Sequence, residues 1–196
     1  MTDNLQGNAI FETLQASKQY KEADRISIYL AMPAAEAQTD AIVRHALAAG
    51  KQVLRPLPAH LESLRTGHPC PQHGHGTPAH IDAAAVSGRE RILGDARSGS
   101  GRAPATLDLM LVPGVAFNAD PDGGIRRLGH GKGFYDFFLN RYFERVAEHG
   151  GHGRSLHLLG LALKEQWLSE AHGEEVPMGL HDRKLHSLIL GSGETK

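Results

Sequence analysis

The sequence predicts an α/β domain on a largely parallel sheet. Two observations carry this. Arg25–Leu30 (RISIYL), a helical pattern over Asp40–Ala49, and Gln52–Leu54 give strand, helix and strand at the spacing of a right-handed βαβ crossover. Three more short apolar runs follow at Leu107–Val112, Leu158–Leu163 and Leu185–Leu190. The first of them is the most apolar and is assigned to the sheet centre.

Ala9–Tyr20 reads as an amphipathic helix with Ile10, Phe11 and Leu14 on one side. The strand Arg25–Leu30 runs into Ala31-Met32-Pro33, where proline halts regular structure. Thr39 is placed as the cap of the next helix, with Ile42, Val43, Ala46 and Leu47 inward and Gly50 at its end. Residues 58–105 hold Pro69, Pro71 and Pro78, a His-Gly tract (His73 to Gly76) and a Ser-Gly run (Ser98 to Gly101). They read as two long loops around a short segment near Arg89–Leu93. With one cysteine and no repeated ligand spacing, those histidines read as solvated loop residues rather than metal ligands. Cys70 has no partner spacing that marks a nucleophile. A helix over Phe134–Glu148 ends at Gly150-Gly151, with His149, His152 and His157 solvent-facing around its exit. A short helix near Lys164–Ala171 packs Trp167, and Leu185–Leu190 is the last strand.

Composition limits the classes. The chain has 196 residues, 40% of them apolar, with no internal repeat and no second compositional regime, so one domain over residues 1–196 is expected. A formal net charge of -1 argues against nucleic acid and against a polybasic membrane contact. The lone cysteine excludes an internal disulfide framework, and no apolar run approaches membrane-spanning length. The start, MTDNLQGN, has neither the apolar core of a signal peptide nor the arginines of a transit peptide. A cytoplasmic monomer is expected.

The chemistry converges on Leu128-Gly129-His130-Gly131-Lys132-Gly133-Phe134-Tyr135-Asp136. Glycines let successive backbone N–H groups point into one concavity, the helix start adds its own unpaired N–H groups, and Lys132 adds a full positive charge. Together these make a phosphate cradle. Asp136 would repel a phosphate. A divalent cation held jointly by carboxylate and nucleotide phosphate resolves that conflict, and Mg²⁺ suits it. The competing reading is a glycine-rich turn whose aspartate answers the helix dipole. Ligands of such sheets sit outside the carboxyl ends of the strands, so the loops after Leu30, Leu54, Val112 and Leu163 should converge on this stretch.

Taken together, LDLMLVPGVAF (Leu107–Phe117), RRLGHGKGFYDFFL (Arg126–Leu139), a strand ending in GLAL (Gly160–Leu163) and His181-Asp182 before the last strand resemble the 5-formyltetrahydrofolate cyclo-ligase family. The order and spacing match from about residue 9 to residue 190, and poorly over 58–105. The resemblance implies a three-layer αβα fold with a mostly parallel sheet, of the kind shared with sugar-phosphate isomerases and CoA transferases. It implies that 5-formyltetrahydrofolate and ATP, with Mg²⁺, give 5,10-methenyltetrahydrofolate, ADP and phosphate. It implies that Arg127, Leu128, Gly129, His130, Gly131, Lys132, Gly133, Phe134 and Tyr135 surround ATP, with Lys132 and Tyr135 catalytic. The substrate would meet Leu30 and Glu36, and also His130, Gly131, Lys132, Gly133 and Phe134; Asp136 and Asp182 would hold Mg²⁺. Two departures stand out. His130 occupies a position where the family often has arginine. The family's lysine- and arginine-rich leading helix has no counterpart, since Met1–Gly7 carries no basic residue and Lys18, Lys21 and Arg25 come too late.

The reaction asks for positioning and charge stabilisation. An N-formyl oxygen leaves poorly; phosphorylated, it gives an iminium phosphate that the N10 amine attacks before phosphate departs. Lys132 and the N–H groups of Gly131 and Gly133 would neutralise the transferring phosphoryl group, Glu36 would accept pterin N–H bonds, and Phe134 and Tyr135 would flank a flat ring. Two alternatives stay open at this level. One is a shortened, non-catalytic folate- or nucleotide-binding relative. The other is an isomerase-like enzyme of the same fold, which the Asp136 and Asp182 pair disfavours.

Overall fold

The computed structural model describes residues 2–32, 35–56, 106–131, 133–148, 156–168 and 173–196. Everything read from 58–105, including Cys70, the His-Gly tract and the segment near Arg89, lies outside them, as do Lys132, His149 and His152. The chain opens with α1 (Thr2–Ala16) and α2 (Lys18–Glu22), then β1 (Arg25–Ser27), α3 (Asp40–Ala48) and β2 (Gln52–Leu54). After the middle segment come β3 (Leu109–Val112), β4 (Ala116–Ala119), β5 (Ile125–Leu128), α4 (Phe134–Glu148), β6 (His157–Ala162), a 3₁₀ turn (Lys164–Gln166) and β7 (Ser187–Leu190).

The main sheet has the order β2-β1-β3-β6-β7, and every pairing in it is parallel. β3 is central and fully buried, as its composition required. Its side chains alternate between two apolar layers, as the pleat dictates. Leu109 and Leu111 join Ile10, Leu14, Ile42 and Ala46 from α1 and α3. Met110 and Val112 join Phe117 together with Leu139 and Tyr142 of α4. Helices therefore cover both faces, which is the three-layer arrangement expected of a parallel sheet. Tyr142 also accepts the Leu107 N–H at 2.7 Å, so α4 is fixed to the entry of β3 by a polar bond as well as by packing. Truncating a fully buried side chain such as Leu111 to alanine would cost about 2–5 kcal/mol.

Several local readings change. The first helix begins at Thr2 rather than Ala9 and breaks at Ser17, whose hydroxyl accepts the Tyr20 N–H and starts α2. A leading helix thus exists, but its sequence holds no lysine or arginine. Thr39 does not cap α3 with its side chain; its hydroxyl instead donates to the Tyr29 carbonyl at 2.7 Å. Of the four residues expected inward on α3, Ile42 and Ala46 are buried while Val43 and Leu47 are half-buried. The stretch after β6 closes as a 3₁₀ turn, with Trp167 packed behind it against the second apolar layer. His157 is half-buried, not solvent-facing. Its ring stacks on His186 with 5.0 Å between centroids, and Nε2 lies 2.8 Å from Ser187 Oγ.

The largest omission is the antiparallel hairpin β4–β5, where the sequence suggested only a long loop. Its turn, Asp120 to Gly124, has positive φ at Gly123 and Gly124, which L side chains rarely adopt. An ionic network fastens the hairpin to the segment before β7: Asp120 pairs with Arg126 at 2.7 Å and with Lys184 at 2.7 Å, and Arg126 reaches Glu175 at 3.0 Å. Arg126, followed by Lys184, holds the Asp120 carboxyl well below the usual carboxylate range.

Candidate functional site

From β1 the chain passes through α3 to β2 on one side, whereas β3 leads to β6 and β7 on the other. The crevice between the carboxyl ends of β1 and β3 is therefore the topological switch point, where ligands of open α/β sheets bind. A cavity of about 210 Å³ lies there.

The loop after β1 builds one wall. Tyr29 donates its hydroxyl to the Ala37 carbonyl at 2.9 Å, and Thr39 ties back to Tyr29. Between these anchors Glu36 is only 8% exposed, and its Oε2 accepts the Met32 N–H at 2.8 Å. Oε1 takes no part in that bond. Leu30 and Met32, 45% and 43% exposed, form an apolar rim beside this carboxylate.

The hairpin and α4 build the facing wall. β5 delivers Arg127, whose Nη2 lies 2.6 Å from Asp136 Oδ2 at the start of α4. Both side chains are largely removed from water, at 4% and 13% exposure. Arg127 Nη1 also reaches the Pro113 carbonyl at 3.4 Å, while Nε is buried with no partner. The second oxygen of Asp136 accepts the Arg183 N–H at 3.0 Å. The guanidinium stands 5.6 Å from the centre of the Tyr135 ring. Burial, and secondarily Glu36, push the Tyr135 hydroxyl far above its ordinary value, partly opposed by Arg127. Tyr135 therefore stays neutral at physiological pH.

Between these walls runs the glycine loop. Gly131 and Gly133 have φ of 78° and 58°, so both occupy the left-handed region that glycine tolerates. A Cβ at Gly129 would sit 2.9 Å from Arg127 Nη1, so this glycine allows the loop to pass close over the guanidinium. α4 starts directly after Gly133, and its first intrahelical bond runs from the Phe137 N–H to the Gly133 carbonyl at 2.9 Å. The N–H groups before Phe137 are those that a helix start leaves for another acceptor. Phe134 and Tyr135 meet edge to face at 5.1 Å between centroids.

The cavity brings together Leu30, Glu36, Arg127, Gly129, His130 and Gly133, and with them Phe134, Tyr135 and Asp136. Leu128 and Gly131 are exposed and lie outside its lining. Asp182 is also outside it, in an exposed turn where its Oδ2 accepts the Gly179 N–H at 2.7 Å; the next residue, Arg183, supplies the backbone link to Asp136. Among the described residues no three His, Cys, Asp or Glu side chains converge as a metal set. Each Asp136 oxygen already accepts one hydrogen bond, from the Arg127 guanidinium on Oδ2 and from the Arg183 N–H on Oδ1, so Mg²⁺ would have to share the carboxylate with these donors through its remaining lone pairs. An anion finds an unpaired donor nearby, since the buried Arg127 Nε lacks an acceptor, and the loop that follows has left-handed backbone at Gly131 and Gly133. Tyr29, Met32 and Pro113 also line the cavity and were not singled out from the sequence. For Pro113 the VPG stop after a central strand was the available signal; for Tyr29 and Met32 it was only adjacency to Leu30.

Fold and cleft define an α/β protein whose sheet presents an arginine- and glycine-lined crevice, suited to an anionic small molecule, at its carboxyl edge. The chain belongs to the 5-formyltetrahydrofolate cyclo-ligase family, whose model matches residues 3–191. A Caenorhabditis elegans relative described as "Probable 5-formyltetrahydrofolate cyclo-ligase" is 32% identical, over 97% of this chain and 83% of its own. The Mus musculus 5-formyltetrahydrofolate cyclo-ligase is 27% identical, over 89% of this chain and 76% of its own. The fold matches the solved Aquifex aeolicus 5,10-methenyltetrahydrofolate synthetase with a TM-score of 0.56 and 19% identity, covering 97% of this chain and 80% of that one. Among the described residues no helix is long and apolar enough to cross a membrane.

Proposed function

We propose that this chain cyclises 5-formyltetrahydrofolate to 5,10-methenyltetrahydrofolate at the expense of ATP. The observation that supports the reading is that the carboxylate residue Glu36 and the loop residues Gly129, His130 and Gly133 line one cavity. Those two chemistries must meet if a formyl oxygen is to take a phosphoryl group.

The surroundings of the described residues support their proposed roles. Glu36, steadied by the Met32 N–H, accepts N–H bonds from the pterin, and Leu30 packs on its flat face. Arg127, held by Asp136, offers its free Nε toward phosphate oxygens. Lys132 and the N–H groups of the glycine loop neutralise charge on the phosphoryl group in flight. Tyr135 stays protonated and orients the formyl end, while Phe134 closes the ring slot. In the balanced reaction the formyl oxygen takes the γ-phosphoryl group and ADP leaves; N10 then attacks the activated carbon, loses its proton, and phosphate departs with the original formyl oxygen. The protein's part is to align these partners and exclude water. Mg²⁺ is proposed to arrive on the nucleotide phosphates, whose charge it would neutralise, with exposed Asp182 as the available carboxylate. The lone cysteine supports the reducing cytoplasm as its place of work.

Calorimetric titration tests the reading. Binding of 5-formyltetrahydrofolate that is lost in Glu36→Ala, and of ATP that is lost in the double variant Arg127→Met, Asp136→Leu, which leaves no buried charge unpaired, is expected. A chain that binds neither compound would contradict the proposal.

A further inference from the structure

The 3₁₀ turn after β6 has no role in the reading above, yet one of its side chains reaches two other loops of the site. Gln166 is half-buried. Its Nε2 donates to the Gly114 carbonyl at 2.7 Å and to the Ala35 carbonyl at 3.1 Å, using both amide hydrogens. Its Oε1 accepts the Leu163 N–H at 2.8 Å. One amide therefore joins the loops that follow β1, β3 and β6, three of the carboxyl-end loops that surround the cavity. The loop it grips after β1 is under backbone strain. Ala35 has φ of 82°, a left-handed conformation uncommon for any residue with a Cβ, and it immediately precedes Glu36. Strain of this kind persists only where neighbouring contacts hold it. Among the described residues the Gln166 amide holds the Ala35 carbonyl, the Gln38 amide reaches the Glu36 carbonyl at 3.1 Å and the Met32 carbonyl at 2.9 Å, and beyond Glu36 the Tyr29 hydroxyl holds Ala37. The turn is itself anchored from outside. Gln6 of α1, buried in spite of its polarity, accepts the Lys164 N–H at 2.8 Å and donates to the Glu165 carboxylate at 3.1 Å.

We infer that Gln166 is a positioning residue for substrate: its amide fastens the Ala35–Glu36 segment to the ends of β3 and β6 and thereby sets where the Glu36 carboxylate stands in the cavity. The inference rests on the reading of Glu36 as the carboxylate that receives the folate.

Gln166→Glu is the informative variant. It keeps the size and the acceptor for the Leu163 N–H, but sets a carboxylate against two carbonyl oxygens where an amide donated. A Glu-specific protease reads the loop without ligand. Cleavage after Glu36 is expected to accelerate by about 5- to 150-fold, the factor that corresponds to loss of two neutral hydrogen bonds, and by more than cleavage at the other glutamates. The Kd for 5-formyltetrahydrofolate should weaken by a similar factor, and that for ATP by less than about twofold. Unchanged cleavage after Glu36 in a folded variant overturns the inference, as does faster cleavage with an unchanged folate Kd. Equal weakening of folate and ATP would overturn the selective role. If the unmutated chain binds no folate, the proposed function fails instead, and the ligand-free proteolysis still decides whether Gln166 holds the loop.

Discussion

Replacing Asp136 by alanine removes the partner of a buried cation, and the magnitude follows from the burial of the pair. If Asp136 served only as a negative charge at the start of α4, its loss would cost about 0.3–1 kcal/mol. The Arg127 side chain is 4% exposed, however, and its close contact to Asp136 is 2.6 Å. Stripping one partner from such a pair leaves an uncompensated charge out of water, which costs about 3–5 kcal/mol. The larger effect should dominate. The Arg183 N–H that also loses its acceptor belongs to an exposed residue, where water can replace the bond. For a chain of this size 1 kcal/mol shifts the melting temperature by about 2–4 °C, so Asp136→Ala should fall by about 6–20 °C. Urea unfolding at neutral pH measures it directly. The double variant Arg127→Met, Asp136→Leu should recover most of the loss, because both charges are then gone and the volume is kept. A single variant within 1 kcal/mol of the parent, or a double variant that recovers nothing, would refute the view that the pair is a buried unit.

Other outcomes are expected. Lys132→Ala should slow turnover about a hundredfold through the loss of one transition-state stabiliser, with unfolding unchanged, as read by single-turnover kinetics. Glu36→Gln should raise the Kd for 5-formyltetrahydrofolate about tenfold or more while ATP titrates as before, since a charge-assisted acceptor becomes a neutral one. His157 should make the fold sensitive to mild acid. Burial, then the neighbouring His186, hold its imidazole below the ordinary value. The unfolded chain therefore binds a proton first, and the stability contributed by neutral His157 is complete above about pH 6.5 and lost as pH falls through the lower folded value. Urea midpoints between pH 7.5 and 5 should decline less steeply in His157→Gln; parallel curves would remove His157 from the account.

Much of the sheet was legible because buried parallel strands read as short apolar runs, and Leu109–Val112 is the plainest of them. The glycine loop was legible for a similar reason: Gly131 and Gly133 do need left-handed backbone. The hairpin was missed although Pro121-Asp122-Gly123-Gly124 between AFNA and IRRL carries a turn signal, because polar Asn118, Arg126 and Arg127 mask the strand pattern. That omission hid the most consequential contact of the site. From the sequence Asp136 looked like a carboxylate awaiting a metal; only the return of β5 past α4 brings Arg127 onto it. Thr39 was misread for a related reason, since a local cap and a bond to Tyr29 leave the same sequence trace. Gln166 gave no signal at all, because its partners are backbone carbonyls from loops 131 and 52 residues away.

Near-ultraviolet absorbance tests the central claim most directly, because methenyltetrahydrofolate absorbs there and 5-formyltetrahydrofolate does not. With the protein, 5-formyltetrahydrofolate, ATP and Mg²⁺ together, absorbance should rise with one ADP released per product formed, and omission of ATP or of the protein should abolish it. A flat trace from folded protein that binds both compounds would contradict catalysis and leave a binding protein in its place.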